Sequence, residues 1–108
     1  MEVNFNGGGG LEIIYRSKKI ERICKSFKVA EKAYGQRMAE KIHQRIDEIT
    51  AIDTVELMIQ LHIGRCHSLV NNRKGQYAVD LVHPYRLIFE KIGDEIQIVN
   101  IIEIIDYH

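Results

Sequence analysis

The chain has 108 residues, of which 45% are hydrophobic and 28% are charged, and its formal net charge is zero. This size and composition predict one globular domain with its own core. No apolar run approaches the roughly 20 residues that span a bilayer, so no membrane partner is predicted. The protein is expected in the cytoplasm. Zero net charge excludes a protein that holds free nucleic acid through a broad basic surface, so any nucleic-acid contact has to come from a local patch or be presented by a partner.

The first part of the chain is predicted to contain a flexible arm, a short strand and a helix. Four successive glycines close the segment "MEVNFNGGGG" and predict a flexible arm at residues 1–10, followed by a single domain at residues 11–108. The segment "LEIIYR" predicts a short strand, and Ser17 can cap the helix that follows it. Apolar side chains at helical spacing form the predicted buried face of this helix: Ile20, Ile23, Cys24 and Phe27.

Two more helices are predicted before the pattern changes. Between about Gln36 and Ala51 the apolar residues repeat every three or four positions with charged residues between them, which predicts an amphipathic helix. Asp53 and Glu56 have the spacing of a capping box and predict a short third helix over "DTVELMIQ".

The C-terminal half has the alternation that is typical of β-strands. The segments "GQYAVDLV" (75–82) and "YRLIFEKI" (85–92) predict two strands joined by a turn at His83–Pro84. Gly93–Asp94 predicts a two-residue hairpin into a last strand, "EIQIVNIIEIIDYH" (95–108), whose irregular polar spacing predicts a bulge. The predicted fold is therefore α+β, with a short N-terminal strand, two to three helices and a three- to four-stranded antiparallel sheet.

The predicted last strand delivers three polar groups at its end. Asp106, Tyr107 and His108 offer a hydrogen-bond acceptor, a phenol and an imidazole, and His67 offers a second imidazole. Imidazoles as a class suit proton transfer near neutral pH. Four cations lie in the same half of the chain: Arg65, Arg73, Lys74 and Arg86. This combination suits cleavage of an RNA phosphodiester, which needs a base for the 2′-hydroxyl, an acid for the leaving 5′-oxygen and positive charge around the phosphate.

A metal site is an alternative use of Cys24, Cys66, His67 and His108. The Cys-x-x-Cys and His-x₃-His spacings that are typical of zinc sites are not present, so no metal and no other cofactor is predicted. Two cysteines do not suggest a disulfide framework, and both are expected to be reduced thiols.

The segment "RCHSLVNNRKGQYAVDLVHPYRLIFE", the hairpin after it and the terminal "DYH" resemble the HigB-type killer toxins of the RelE/ParE superfamily. Those toxins carry a stretch of the kind L-H-P-L-K-G-D-R-x-G-x-W-S-I, then a W-R-I-x-F strand, and close with D-Y-H. By position, His67 matches the family's catalytic histidine, Arg73 and Arg86 match its motif arginines, and the last three residues match its terminal functional triplet. The chain departs from the pattern at Val70, where the family has a lysine whose charge another basic residue would have to supply.

The resemblance implies a RelE-like fold and the toxin of a type II toxin–antitoxin system. Such toxins are similar in cutting mRNA in the ribosomal A site and in being held inactive by a cognate antitoxin. His67 and His108 would then share the acid–base work of a metal-independent endoribonuclease. Asp106 would orient a partner, and Tyr107 would donate to the phosphate.

The partners implied by the resemblance are a HigA-like antitoxin, the ribosome and mRNA, with DNA contacted only indirectly through the antitoxin complex. Two other functions stay open at this point. One is a ParE-like toxin that inhibits DNA gyrase without cutting RNA, and the other is a degenerate member that only binds its antitoxin. The terminal "DYH" favours the nuclease, because an inhibitor that acts by contact has no use for an acid–base cluster.

Overall fold

The computed structural model describes residues 10–107, so the predicted arm, apart from Gly10, and the terminal His108 lie outside the described residues. The helices are α1 Lys18–Lys25, α2 Phe27–Tyr34, α3 Gln36–Thr50 and α4 Val55–Gln60. The strands are β1 Glu12–Tyr15, β2 His67–Ser68, β3 Gln76–Asp80, β4 Tyr85–Ile92 and β5 Ile98–Asp106. Within this part of the chain, no helix combines the length and the apolar character needed to cross a membrane.

The strands form one five-stranded sheet in the order β1-β5-β4-β3-β2. β1 runs parallel to β5, and the other neighbouring strands are antiparallel. The register confirms the predicted bulge in the last strand, since Ile88 pairs with Glu103 whereas Phe89 pairs with Ile101. Helices together with a mixed sheet confirm the predicted α+β class. The structure has four α-helices where two to three were predicted, because Ser26 ends the first helix and begins another.

The helices cover one face of the sheet and bury the main core against it. Fully buried side chains of the sheet and of two helices share this core: Val79, Leu87, Phe89, Ile42, Ile49 and Met58. Side chains alternate across a strand, so Ala78 and Ile88 point to the other face, where they form a small separate cluster with Ile102. We call this second face of β2–β5 the open face.

Hydroxyl side chains decide where the first two helices begin. Ser17 caps α1 as predicted, and its hydroxyl accepts a hydrogen bond from the Ile20 N–H at 3.2 Å. Ser26 adopts an extended backbone and accepts from the Val29 N–H at 3.2 Å, which ends α1 and begins α2. The prediction that Phe27 shares the buried face of the first helix is therefore wrong, because Phe27 is the first residue of α2.

The start of α4 also differs from the prediction. Its N-cap is Thr54, whose hydroxyl accepts from the Leu57 N–H at 3.0 Å. The predicted capping box of Asp53 and Glu56 is therefore wrong. Asp53 instead accepts a hydrogen bond from the backbone N–H of Gly10 at 3.3 Å. This bond connects the segment before β1 to the segment that follows α3.

The connection between β4 and β5 is held by a buried amide. The loop runs between Ile92 and Ile98, so the predicted two-residue hairpin at Gly93–Asp94 is wrong. Gln97 in this loop is buried, and its amide oxygen accepts from the Val55 N–H at 2.9 Å. This contact satisfies an N–H in the first turn of α4, which has no partner within the helix.

Glu56 is expected to make the stability of the fold depend on acid pH. Lys91 Nζ and Gln97 Nε2 donate to its two carboxylate oxygens at 2.7 Å each, and these hydrogen bonds, that of Lys91 foremost, lower the pKa of Glu56 from 4.5 to about 2. A carboxyl group with a lowered folded-state pKa stabilises the fold above its unfolded pKa, and this contribution is lost as the pH falls through the folded value. Urea unfolding between about pH 5 and pH 2 should therefore show a weaker decrease in unfolding free energy for Glu56→Gln than for the wild type.

Lys91→Gln provides the matched test, because it removes the main donor and leaves the carboxyl group in place. Its unfolding free energy should also depend less on pH than that of the wild type. Equal pH dependence in the wild type and both variants would contradict the assignment.

Candidate active site

The candidate site lies on the open face. Cross-strand partners share a face of a sheet, and the register places Asp80 opposite Arg86, and Arg86 opposite Ile105. His67 pairs with Ala78, which lies two residues before Asp80 on β3 and therefore on the same face. The structure thus brings His67 and Arg86, two predicted site residues, onto one surface.

Asp80 connects two of the predicted cations. Arg65 Nε donates to Asp80 Oδ2 at 2.5 Å, and Arg86 Nε lies 3.4 Å from Asp80 Oδ1. The hydrogen bond from Arg65 and the negative charge of Asp80 raise the pKa of the Arg65 guanidinium above its ordinary value. Arg65 is 72% exposed and Arg86 only 28%, so a ligand approaching the open face meets Arg65 first.

Asp80 is not among the site residues predicted from the sequence. No motif marks this residue, which occupies an ordinary polar position in an alternating strand. Only the pairing of β3 with β4, together with the turn that carries Arg65, places its carboxylate between two guanidinium groups.

Tyr107 borders the site from the end of β5. Its backbone N–H donates to the carbonyl oxygen of Pro84 at 3.0 Å, so backbone pairing continues past the last strand residue. The guanidinium carbon of Arg86 lies 4.6 Å from the centre of the Tyr107 ring, which is a cation–π contact. The two contacts hold this side chain and Arg86 against each other.

A cavity of about 50 Å³ lies between these side chains. Its lining residues come from the turn before β2 and from the ends of β3, β4 and β5: Arg65, Asp80, Leu81, His83, Pro84, Tyr85, Arg86 and Tyr107. The sequence predicted only a turn at His83, yet this residue also borders the cavity. The volume suits ordered water or a small anionic group, so a larger ligand has to lie across the open face.

His67 is oriented by the backbone. Its Nδ1 lies 2.8 Å from the carbonyl oxygen of Arg65, and because a carbonyl oxygen only accepts, Nδ1 carries the hydrogen of this bond. The Nε2 of the neutral ring is then the proton acceptor. Three strand spacings, about 14 Å in total, separate β2 from β5, so His67 and Tyr107 lie at opposite ends of the open face.

The structure does not bring Asp106 to the open face. Asp106 is the cross-strand partner of Tyr85, whose ring packs edge-on against Tyr34 of α2 with 5.5 Å between centroids. Asp106 therefore lies on the helix side of the sheet, at the exposed end of β5. His108, the last member of the predicted triplet, is outside the described residues.

Arg73 reaches the open face from the loop between β2 and β3. Its Nη1 donates to Gln76 Oε1 at 2.7 Å and lies 3.0 Å from Glu103 Oε2. Lys74 follows it and is exposed, and Val70 is 69% exposed in the same loop. Arg73 is thus placed on the face that carries Arg65 and Arg86, next to side chains of β3 and β5.

Neither cysteine contributes to this face as a reactive group. Cys24 and Cys66 are free and buried, and burial raises the pKa of each thiol to about 12, which keeps both protonated at neutral pH. Among residues 10–107, no group of three or more His, Cys, Asp or Glu side chains is arranged to hold a metal ion.

The fold is that of the YoeB/ParE-type toxins, which confirms the predicted RelE-like architecture. The YoeB/ParE toxin from Agrobacterium tumefaciens superposes with a TM-score of 0.62 at 13% identity, over 91% of this chain and 100% of that chain. YoeB from Staphylococcus aureus matches as a dimer and as a YoeB–YefM complex, with TM-scores of 0.57 and 0.58, each at 22% identity over 91% of this chain and 97% of the other. No protein-family model and no curated protein matches the sequence. Because these sequence identities are low, the structural likeness establishes the fold alone.

Proposed function

We propose that the chain is the cytoplasmic toxin of a type II toxin–antitoxin system and acts as a ribosome-dependent, metal-independent endoribonuclease on translated mRNA. The observation that carries the proposal is the open face itself. It combines a histidine whose Nε2 is presented as a proton acceptor, three arginines and a tyrosine held by Arg86. Support comes from the shared fold of neighbours named as toxins and from the terminal "DYH".

In the proposed reaction, His67 and His108 share the proton transfers. One imidazole takes the proton of the 2′-hydroxyl, and the 2′-oxygen attacks the phosphorus. The bond from phosphorus to the 5′-oxygen then breaks, and the other imidazole protonates the leaving oxygen. The products are a 2′,3′-cyclic phosphate and a 5′-hydroxyl end.

Fixed positive charge on the open face would stabilise the phosphate as it gains a fifth oxygen. Arg86 lies on β4, between β5 and the strand that carries His67. Arg65 and Arg73 lie on the same face. We assign Tyr107 as a hydrogen-bond donor to the phosphate and Lys74 as an outer contact to RNA. Asp106, on the helix side, is assigned the role of orienting the chain terminus rather than of touching substrate.

The proposed partners are an antitoxin protein, the ribosome and mRNA. One structural neighbour forms a YoeB–YefM complex, which supports a protein partner for this fold. We assign the chain to the HigB type, and its antitoxin to the HigA type, from the terminal "DYH" and the "RCHSL" segment. DNA would be contacted only through the antitoxin complex.

A second candidate function rests on a separate observation. Each arginine of the open face is already paired with a carboxylate, and Asp106 lies on the other side of the sheet. This arrangement favours a protein that acts by contact alone, either a ParE-like inhibitor of DNA gyrase or a degenerate member that only binds its antitoxin.

Mapping mRNA 5′ ends after induction tests the nuclease proposal directly. New 5′-hydroxyl ends should accumulate within translated messages and not in matched messages that lack a start codon. Cleavage by purified protein on intact ribosomes should continue in EDTA. Growth arrest without new RNA ends, accompanied by gyrase inhibition, would overturn the nuclease in favour of the ParE-like alternative.

A further inference from the structure

The open face carries carboxylates as well as arginines, and they are paired with each other. Asp80 binds Arg65 and Arg86 with N–O distances of 2.5 and 3.4 Å, and Glu103 lies 3.0 Å from Arg73. The three arginines proposed to contact phosphate are therefore all partly neutralised by the protein itself.

The sheet register fixes the strand positions of both carboxylates. Asp80 lies on β3 opposite Arg86, and Glu103 lies on β5 opposite Ile88, so both carboxylates belong to strand positions of the open face. Asp80 is only 25% exposed, and its Oδ1 is buried and accepts no hydrogen bond within the described residues. A phosphate that approaches these arginines has to compete with a carboxylate that is already in place.

We infer that Asp80 and Glu103 are specificity-determining residues that keep free single-stranded RNA off the open face, so that only RNA presented by the ribosome reaches it. This inference rests on the proposed function. Unpaired guanidinium groups bind phosphates and release counterions, each adding about 0.7 to the slope of log affinity against log salt for single strands. An arginine that must first leave a carboxylate contributes less affinity for RNA phosphate. The ribosome already positions the message, so a toxin acting there does not need this affinity.

The test measures binding of a short 2′-O-methyl RNA, which cannot be cleaved because it lacks the attacking hydroxyl. The double variant Asp80→Asn/Glu103→Gln should bind it about tenfold or more tightly than the wild type at about 50 mM salt. The slope of log affinity against log salt should steepen by about 2, because three guanidinium groups become free. A change confined to folding would not alter this slope.

The matched control is Glu40→Gln/Asp47→Asn, which changes the net charge equally at exposed positions on α3. It should bind RNA like the wild type. Equal gains in both double variants, or none in either, would overturn the inference. If the Asp80 substitution unfolds the protein, the single variant Glu103→Gln still tests the inference, because Glu103 is 42% exposed. This variant should steepen the slope by about 0.7, since one guanidinium group becomes free.

Cleavage measured separately distinguishes this inference from the proposed function. In cells, Asp80→Asn/Glu103→Gln should produce new RNA ends in untranslated messages as well as in translated ones. Absence of cleavage by the wild type would refute the nuclease while leaving the RNA-binding comparison valid. Cleavage by the wild type together with unchanged RNA binding in the variant would refute only the inference.

Discussion

Replacing His67 by Gln should lower the rate of mRNA cleavage by about 10²–10⁴-fold and abolish growth arrest, while the fold and antitoxin binding persist. The hydrogen bond from Nδ1 to the carbonyl oxygen of Arg65 leaves Nε2 as the acceptor of a neutral ring. Glutamine keeps a donor of similar reach but cannot exchange a proton near neutral pH. The measurement is the rate of appearance of 5′-hydroxyl ends on ribosome-bound message with purified protein.

His62→Asn is the matched control for this substitution. His62 is exposed in the preceding turn and has a left-handed backbone (φ 58°), which asparagine tolerates. Its cleavage rate should equal that of the wild type. Full activity of His67→Gln would exclude His67 from the proton transfers.

Deletion of His108 tests whether the two imidazoles act as one unit. The deletion should cost about as much activity as His67→Gln, and combining the two changes should cost little more than either alone, because residues that act together are strongly non-additive. Independent, multiplicative losses would argue that the two histidines belong to separate steps.

Arg86→Lys should reduce the cleavage rate by about 10²–10³-fold although the positive charge is kept. The guanidinium carbon of Arg86 lies over the Tyr107 ring, 4.6 Å from its centre, and a lysine ammonium lacks the planar group that can stack on this ring while it donates to phosphate. Single-turnover rates on ribosome-bound message, with urea unfolding in parallel, measure the effect.

Tyr107→Phe removes the hydroxyl and keeps the aromatic ring that contacts Arg86. The phenylalanine ring still accepts the Arg86 guanidinium, so its loss of activity reports only the proposed hydrogen bond to phosphate and should be smaller than that of Arg86→Lys. Wild-type cleavage by Arg86→Lys would show that the planar guanidinium is not needed for cleavage.

Local patterns predicted most of the secondary structure because periodicity and turn chemistry act over a few residues. The long helix from Gln36, the strand over residues 85–92 and the bulge in the last strand all follow from such patterns. The errors arose where several local choices are nearly equal in energy. Ser26 and Thr54 cap α2 and α4 through their own hydroxyls, and each lies next to a residue that local pattern placed differently, Phe27 and Asp53.

The sequence by itself determined the fold class, the alternation of the strands and the histidine and arginine positions worth testing. Only the tertiary structure decided which of them share a face. Strand register moved Asp106 to the helix side and placed the unpredicted Asp80 between two arginines. Register depends on pairing between residues far apart in the chain, and a shift of one position exchanges the faces of every side chain on a strand.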